Sequence, residues 1–385
     1  MKENWTYKKL GEVCTIERGG SPRPINEYIT DDSNGLNWIK IGDAKEGSKF
    51  ITSTKEKIKP EGLKKTRLVH KGDFILSNSM SFGKPYILDI DGCIHDGWLV
   101  IHDDNGTFDK SYLYYLLGSP NMYKEFQRLA VGGVVNNLNS EIVRNVVVPI
   151  PPIETQSRIV SELDLLQSII DKQKAQLKEL DNLAQAVFYD MFGDPVENDK
   201  GWEVNSLKSV APQKQWDGSV PSVNGLFWLL NLDMVESQTG SIIEKVLVKQ
   251  DEIGNSTIMF DTTNVLYSKL RPYLNKVVVP DEIGYGTSEL VPLRPCPDVL
   301  NRTFFAYLLR NKSFVDYISG KVAGAKMPRV VMDDFRAFSV ILPPIQLQHS
   351  FAAKIESIEK QKAAINQSIA ETQRLFDYTM DKYFG

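Results

Sequence analysis

The sequence predicts an α+β protein: two similar mixed α/β domains separated by a long antiparallel two-helix coiled coil, with pseudo-two-fold symmetry. Three observations predict it: a long internal repeat, two heptad segments free of Gly and Pro, and many short β-branched runs punctuated by Gly, Pro, Asn and Asp. At 385 residues, 42% of them hydrophobic, the chain exceeds one ordinary core and suits two domains with connecting elements.

The repeat is read first because it sets the order of everything else. Pro151-Pro152-Ile153-Glu154-Thr155-Gln156 returns as Pro343-Pro344-Ile345-Gln346-Leu347-Gln348, and Phe192-Gly193 returns as Phe384-Gly385, both at an offset of 192. Neither segment contains Gly or Pro between these ends. Apolar residues recur at alternating spacings of four and three: Ile159, Leu163, Leu166, Ile170, Leu177, Leu180, Ala184, Val187 and Met191 in the first, and Phe351, Ile355, Ile358, Ile365, Ile369, Phe376 and Tyr383 in the second. That is a heptad seam, interrupted by Gln173, Lys362, Thr372 and Thr379, polar positions that cost stability and help fix register. A helix of roughly 40 residues is about 60 Å long and cannot bury its stripe alone. The expected pairing sets Leu163, Leu166, Ile170, Leu177 and Leu180 against Ile355, Ile358, Ile365 and Ile369. The domains are accordingly expected at 1–150 and 194–342, with helical spacers at 151–193 and 343–385.

Within the domains the anchors keep the same order. Trp5, Leu10 and Val13 are spaced like Trp202, Leu207 and Val210. Gly35-Leu36-Asn37-Trp38 with Asp43 parallels Gly225-Leu226-Phe227-Trp228 with Asp233, and Phe74-Ile75-Leu76-Ser77 parallels Val265-Leu266-Tyr267-Ser268; both pairs read as buried strands. Tyr112 to Leu117 and Phe304 to Leu309 each read as a short apolar helix.

This architecture resembles the specificity subunit of type I restriction-modification systems: domain, PPI-x-x-Q helix ending near Phe-Gly, domain, and a second such helix. The likeness spans essentially the whole chain. Gly19-Gly20-Ser21-Pro22, Trp38 to Asp43, Lys71 to Ser77, Leu266 to Tyr273, Ser288 to Val291 and Gly324 to Arg329 resemble the family's framework pieces. The resemblance implies two target-recognition domains reading a bipartite double-stranded DNA site. It also implies helices that bind two adenine methyltransferase subunits and a recruited restriction/translocase motor. S-adenosylmethionine, ATP and Mg2+ would belong to those partners, and none to this chain. Residues 19–22 have no clear counterpart after Trp202, where Pro212-Gln213-Lys214-Gln215 stands, so the two domains are expected to read different bases.

DNA contacts need cations for phosphates and loop-borne donors and acceptors for base edges. The net charge of −4 is awkward for such a role, but residues 151–200 hold 10 acids against 5 bases, so the excess acid sits in the connector. Lys55, Lys57, Lys59, Lys64, Lys65, Arg67 and Lys71 form the densest basic run; a solvated hairpin is the competing reading. Arg18, Ser21 and Arg23, followed by Asn26 and Tyr28, make a Gly-Pro-punctuated loop that reads equally as a simple turn. Asn78, Ser79 and Lys84 follow a strand, as do Lys269, Arg271 and Tyr273, with Tyr273 alternatively a core residue. Lys326 and Arg329 match in position the loop Gly132-Gly133 to Asn136-Asn137, and Lys214 completes the set. His95 beside Asp96 reads first as a structural histidine.

Catalytic signatures are missing. The Pro-Pro pairs are followed by Ile153 and Ile345 rather than by the aromatic of an adenine methyltransferase element. Gly83-Lys84 and Gly320-Lys321 continue with Pro85 and Val322, not as phosphate loops. Pro280-Asp281 and Pro297-Asp298 lack the downstream Glu-x-Lys of a common nuclease site, and no nucleophile elbow occurs. Cys14, Cys93 and Cys296 lie far apart, giving neither a metal site nor a disulfide framework, which fits a reducing cytoplasm. No secretory leader or membrane anchor is expected from the polar start and the absence of a ~20-residue apolar run. Two other readings stay open: a two-domain protein-interaction scaffold joined by a coiled coil, and a recognition fragment of a fused polypeptide.

Overall fold

The computed structural model describes residues 4–45, 47–78, 82–130 and 138–385. It divides into two compact units, one of Met1–Lys172 with Ile369–Gly385, the other of Gln173–Ser368. Each unit therefore holds one stretch of each long helix, Ile153–Phe192 and Ile345–Phe384.

Among its described residues, the first unit contains two five-stranded sheets. One runs Ile29–Thr30, Glu56–Ile58, Leu36–Ile39, Gly92–Ile94, Arg67–Val69; the other runs Thr15–Arg18, Trp98–His102, Phe74–Ser77, Pro85–Leu88, Phe50–Ile51. Leu36–Ile39 pairs parallel with Gly92–Ile94, and Phe74–Ser77 antiparallel with Trp98–His102. Phe74–Ser77 is buried along its whole length, which explains its continuous rather than alternating pattern. The helix Lys110–Leu117, capped by the Asp109 carboxylate on Ser111 N and Tyr112 N, shares a core with Leu76, Leu99 and Ile101 from the second sheet.

Among its described residues, the second unit repeats this scheme with a five-stranded and a three-stranded sheet. Leu226–Leu230 pairs parallel with Gly284–Thr287, and Val265–Ser268 antiparallel with Leu290–Leu293. The helix Arg302–Arg310 is capped by Asn301, whose side chain accepts from Thr303 N and Phe304 N. A two-stranded ribbon precedes each long helix: Thr6–Lys9 with Val147–Ile150, and Val204–Ser206 with Ser339–Ile341.

The repeated Gln explains the PPI-x-x-Q motif physically. Gln156 is buried; its Oε1 accepts from Asp109 N at 2.8 Å and its Nε2 donates to Thr107 O and Pro151 O at 2.9 and 3.0 Å. Gln348 repeats this network, accepting from Asn301 N at 2.8 Å and donating to Val299 O and Pro343 O at 3.0 and 2.8 Å. One amide thus ties the start of each long helix to the cap of the domain's apolar helix and satisfies three backbone groups that burial would otherwise leave unpaired.

The long helices pair antiparallel. In the second unit Gln173 Nε2 donates to Ser368 Oγ at 2.7 Å, Lys362 pairs with Asp181 at 2.8 Å, and Phe188 and Phe192 meet the Phe351 ring at 5.7 and 5.4 Å. Numbering rises on one helix as it falls on the other. In the first unit Tyr383 OH donates to Glu162 Oε2 at 2.7 Å. Leu163, Leu166, Ile170, Leu180, Ile355 and Ile358 are buried, whereas Leu177, Ile365 and Ile369 are half-buried. Phe188 and Phe192, outside the heptad reading, are fully buried because this end of the helix also packs on Phe304 of the domain core. Among the described residues, no helix is long and apolar enough to cross a membrane.

Candidate nucleic-acid interface

In the first unit three segments converge where Phe74–Ser77 ends. Asn78 N donates to Gly97 O and Asn78 O accepts from Leu138 N, both at 2.9 Å; Gly19 N and Gly20 N bond Trp98 O and Ile94 O. The glycines are required by close approach: a Cβ at Gly19 would stand 2.3 Å from His95 O, and one at Gly20 2.7 Å from Lys65 O.

The turn His95-Asp96-Gly97 gathers the side chains on this frame. Asp96 O accepts from Arg18 Nε at 3.0 Å and from Asn78 Nδ2 at 2.9 Å, while Asp96 Oδ1 accepts from Ser21 Oγ at 2.9 Å. Arg23 Nη2 lies 3.7 Å from Asp96 Oδ2 and is largely exposed. His95 Nδ1 accepts from Gly97 N at 2.9 Å, and its Nε2 lies 3.0 Å from Asp96 Oδ1, the arrangement of a neutral ring protonated on Nε2. Desolvation lowers the His95 pKa, against the opposing pull of Asp96. The structure therefore brings Arg18, Ser21, Arg23 and Asn78 together, with Asn78 buried as the residue that orients the turn.

The basic run divides by its partners. Lys57 Nζ bonds Ser33 O, Lys59 Nζ bonds Glu27 O, and Lys65 Nζ bonds Tyr28 OH at 2.9 Å while lying 5.1 Å from that ring's centroid. These bonds position charge without cancelling it, and Lys55 and Lys64 are exposed. Arg67 and Lys71, by contrast, pair with Glu17 at 3.0 Å and Asp89 at 2.8 Å. Next to the run, Ser21, Arg23, Asn26, Trp38, Lys40 and His95 line one open cleft. Lys40, ion-paired with Glu56 at 2.6 Å, was not singled out as a contact from sequence; its local signal is its place two residues after buried Trp38, where the strand Leu36–Ile39 ends. Lys84 is exposed, whereas Ser79, Asn136 and Asn137 lie outside the described residues.

The second unit reproduces the frame with other side chains. Lys269 N donates to Glu289 O at 3.0 Å and Lys269 O accepts from Val330 N at 2.9 Å, the pattern of Asn78. Arg271 takes a left-handed conformation, φ 50°, and its N donates to Pro328 O at 2.8 Å. Lys326 is exposed on the loop joining Val322–Ala323 to Arg329–Val330. Arg329 holds Glu289 through Nε at 3.0 and 3.2 Å and Nη2 at 2.8 Å. Lys269, Arg271, Lys326 and Arg329 are thus brought to one end of the unit. Lys214 is not among them: its N bonds Pro292 O towards the other end of Leu290–Leu293, and the chain then departs through Trp216 N to Met259 O. That early departure is why residues 19–22 have no counterpart here. Tyr273, half-exposed, lines a separate cleft with Tyr189, Tyr307 and Arg310.

Residues 2–182 match the family model described as the type I restriction modification DNA specificity domain. The type I restriction enzyme MjaIX specificity subunit of Methanocaldococcus jannaschii is 21% identical, over 99% of this chain and 93% of that protein. The type I restriction enzyme EcoDI specificity subunit of Escherichia coli is 23% identical, over 71% of this chain and 69% of that protein. Among solved structures, a chain from work on complex assembly and conformational transition of the type I R-M system aligns at TM-score 0.59 and 19% identity, covering 100% of this chain and 98% of the other. The type I restriction-modification S subunit from M. genitalium aligns at TM-score 0.55 and 12% identity, covering 99% and 96%. These likenesses agree with a fold in which one strand-and-turn frame is built twice against paired 40-residue helices, and the chain is similar over nearly its whole length to type I restriction enzyme specificity subunits.

Proposed function

We infer that the chain reads a bipartite double-stranded DNA target, one part per unit, and performs no catalysis itself. The observation that carries this reading is the doubled frame: Asn78 and Lys269 make the same two backbone bonds, while the side chains around them differ. A shared scaffold with different polar side chains at its tip suits two heads that read different bases.

In this reading the paired helices act as a ruler between the heads and as the seat of two adenine methyltransferase subunits in the cytoplasm. The methyl donor S-adenosylmethionine is bound by those subunits, and ATP and Mg2+ by a restriction/translocase partner. Methyladenine mapping of cells with the gene present and deleted tests the proposal. Deletion is expected to abolish methylation of one gapped motif; a methylome unchanged by deletion overturns the reading and favours a protein-interaction scaffold.

A further inference from the structure

The contact between Arg329 and Glu289 joins, through a side-on guanidinium–carboxylate fork, two residues 40 apart in the chain. A guanidinium carries five N–H donors in a planar fork. Glu289 engages the Nε side and one hydrogen of Nη2, through contacts of 3.0, 3.2 and 2.8 Å. The Nη1–Nη2 end is left over, and among the described residues no other hydrogen bond to the Arg329 guanidinium is formed. The arginine side chain is 45% exposed while its carboxylate partner is 21% exposed, so the free end of the fork faces outward from a more sheltered acid.

The backbone holds both partners in place. Glu289 O accepts from Lys269 N, Val330 N donates to Lys269 O, and Leu270 bridges Arg329. The corresponding turn of the first unit makes no such clamp among the described residues: Asp96 is shared among Ser21, His95 and Arg23, the last at 3.7 Å and with a side chain 82% exposed. A planar fork fixed by a carboxylate on one side matches the O6 and N7 acceptors of guanine in the major groove. A phosphate accepts the same fork but carries no sequence information, so base selectivity distinguishes the two.

We propose that Arg329 reads a guanine in the half-site bound by the second unit, and that Glu289 is the positioning residue that aims its fork. The proposal rests on the DNA-recognition reading above. Glu289 stays ionised for this task, since its bond to Arg329 holds its carboxyl below the usual range.

The test is methyladenine mapping in cells carrying R329K, R329A or E289Q in place of the wild-type gene. The wild-type motif is expected to contain a guanine whose selectivity falls about 5- to 100-fold in R329K, with the other half-site unchanged. R329K keeps the charge and loses the fork, so it separates base reading from phosphate binding even where R329A fails to fold. E289Q is expected to relax the same base and no other. Uniform weakening across all positions would assign Arg329 to phosphate, and an unchanged motif would leave the pair a structural brace; either overturns the proposal. A wild-type chain that sets no motif at all would instead defeat the functional reading beneath it.

Discussion

Gln156 and Gln348 show at the residue scale how a repeated motif can be structural. Each is buried and each satisfies three backbone groups with one side chain. Gln348→Ala removes those bonds and strands an N–H and two carbonyls away from water, so urea denaturation should show a loss of about 3 kcal/mol; a loss below about 1 kcal/mol would mean that the network is not needed. The sequence marked both glutamines as repeat signatures, but their partners could not be read from it, because Thr107 and Val299 lie 49 residues away along the chain. The cysteines allow a second residue-scale test. Burial pushes the Cys14 thiol up to about 12, helped by Asp103 and Asp104, and the Cys93 thiol up to about 11. Cys296 is half-exposed. A thiol reagent at pH 8 should therefore label Cys296 in the native protein and reach the other two only on unfolding. Rapid labelling of all three would refute the burial of Cys14 and Cys93.

At the scale of elements, the heptad seam was legible because it is local: the period of apolar residues along one helix needs no knowledge of its partner. Its polar interruptions acquire meaning only across the seam, where Gln173 meets Ser368 and Lys362 meets Asp181. The Gln173 side chain also leaves its buried Oε1 without a partner among the described residues. Gln173→Leu should therefore raise stability by about 1 kcal/mol and loosen register, seen as a higher unfolding midpoint; a lower midpoint would show that the hydrogen bond outweighs apolar burial. The buried strands Phe74–Ser77 and Val265–Ser268 were likewise legible as continuous apolar runs. Their neighbours were not. The parallel pairing of Leu36–Ile39 with Gly92–Ile94 joins segments more than 50 residues apart, and nothing local encodes such a pairing.

For the whole molecule, the proposed ruler makes a quantitative claim. One extra heptad lengthens a helix by about 10 Å, close to 3 base pairs of duplex. Inserting one heptad after Lys172 and another after Ser368 preserves the seam period on both helices. Methylome mapping should then show the gap in the target motif widened by about 3 base pairs, with both half-sites unchanged; an unchanged gap would dissociate helix length from spacing. The net charge of −4 sets a further expectation for the isolated chain, namely weak DNA binding that strengthens when partner subunits join. Tight, salt-insensitive binding by the chain alone would contradict it.

What the sequence determined by itself was the order of parts: a duplication, two long helices and two mixed domains, all carried by periodicity and by short motifs at a constant offset. The tertiary structure alone decided which polar residues meet. Arg18, Ser21, Arg23 and Asn78 converge because the turn His95-Asp96-Gly97 folds against them, and Arg329 is clamped because Glu289 arrives on a different strand end. Lys214 and Tyr273 belong by composition to the same class, yet backbone hydrogen bonds carry them elsewhere. Periodicity is a property of neighbours along the chain, whereas a reading surface is made of distant segments joined by sheet pairing, and that joining is fixed only when the core closes.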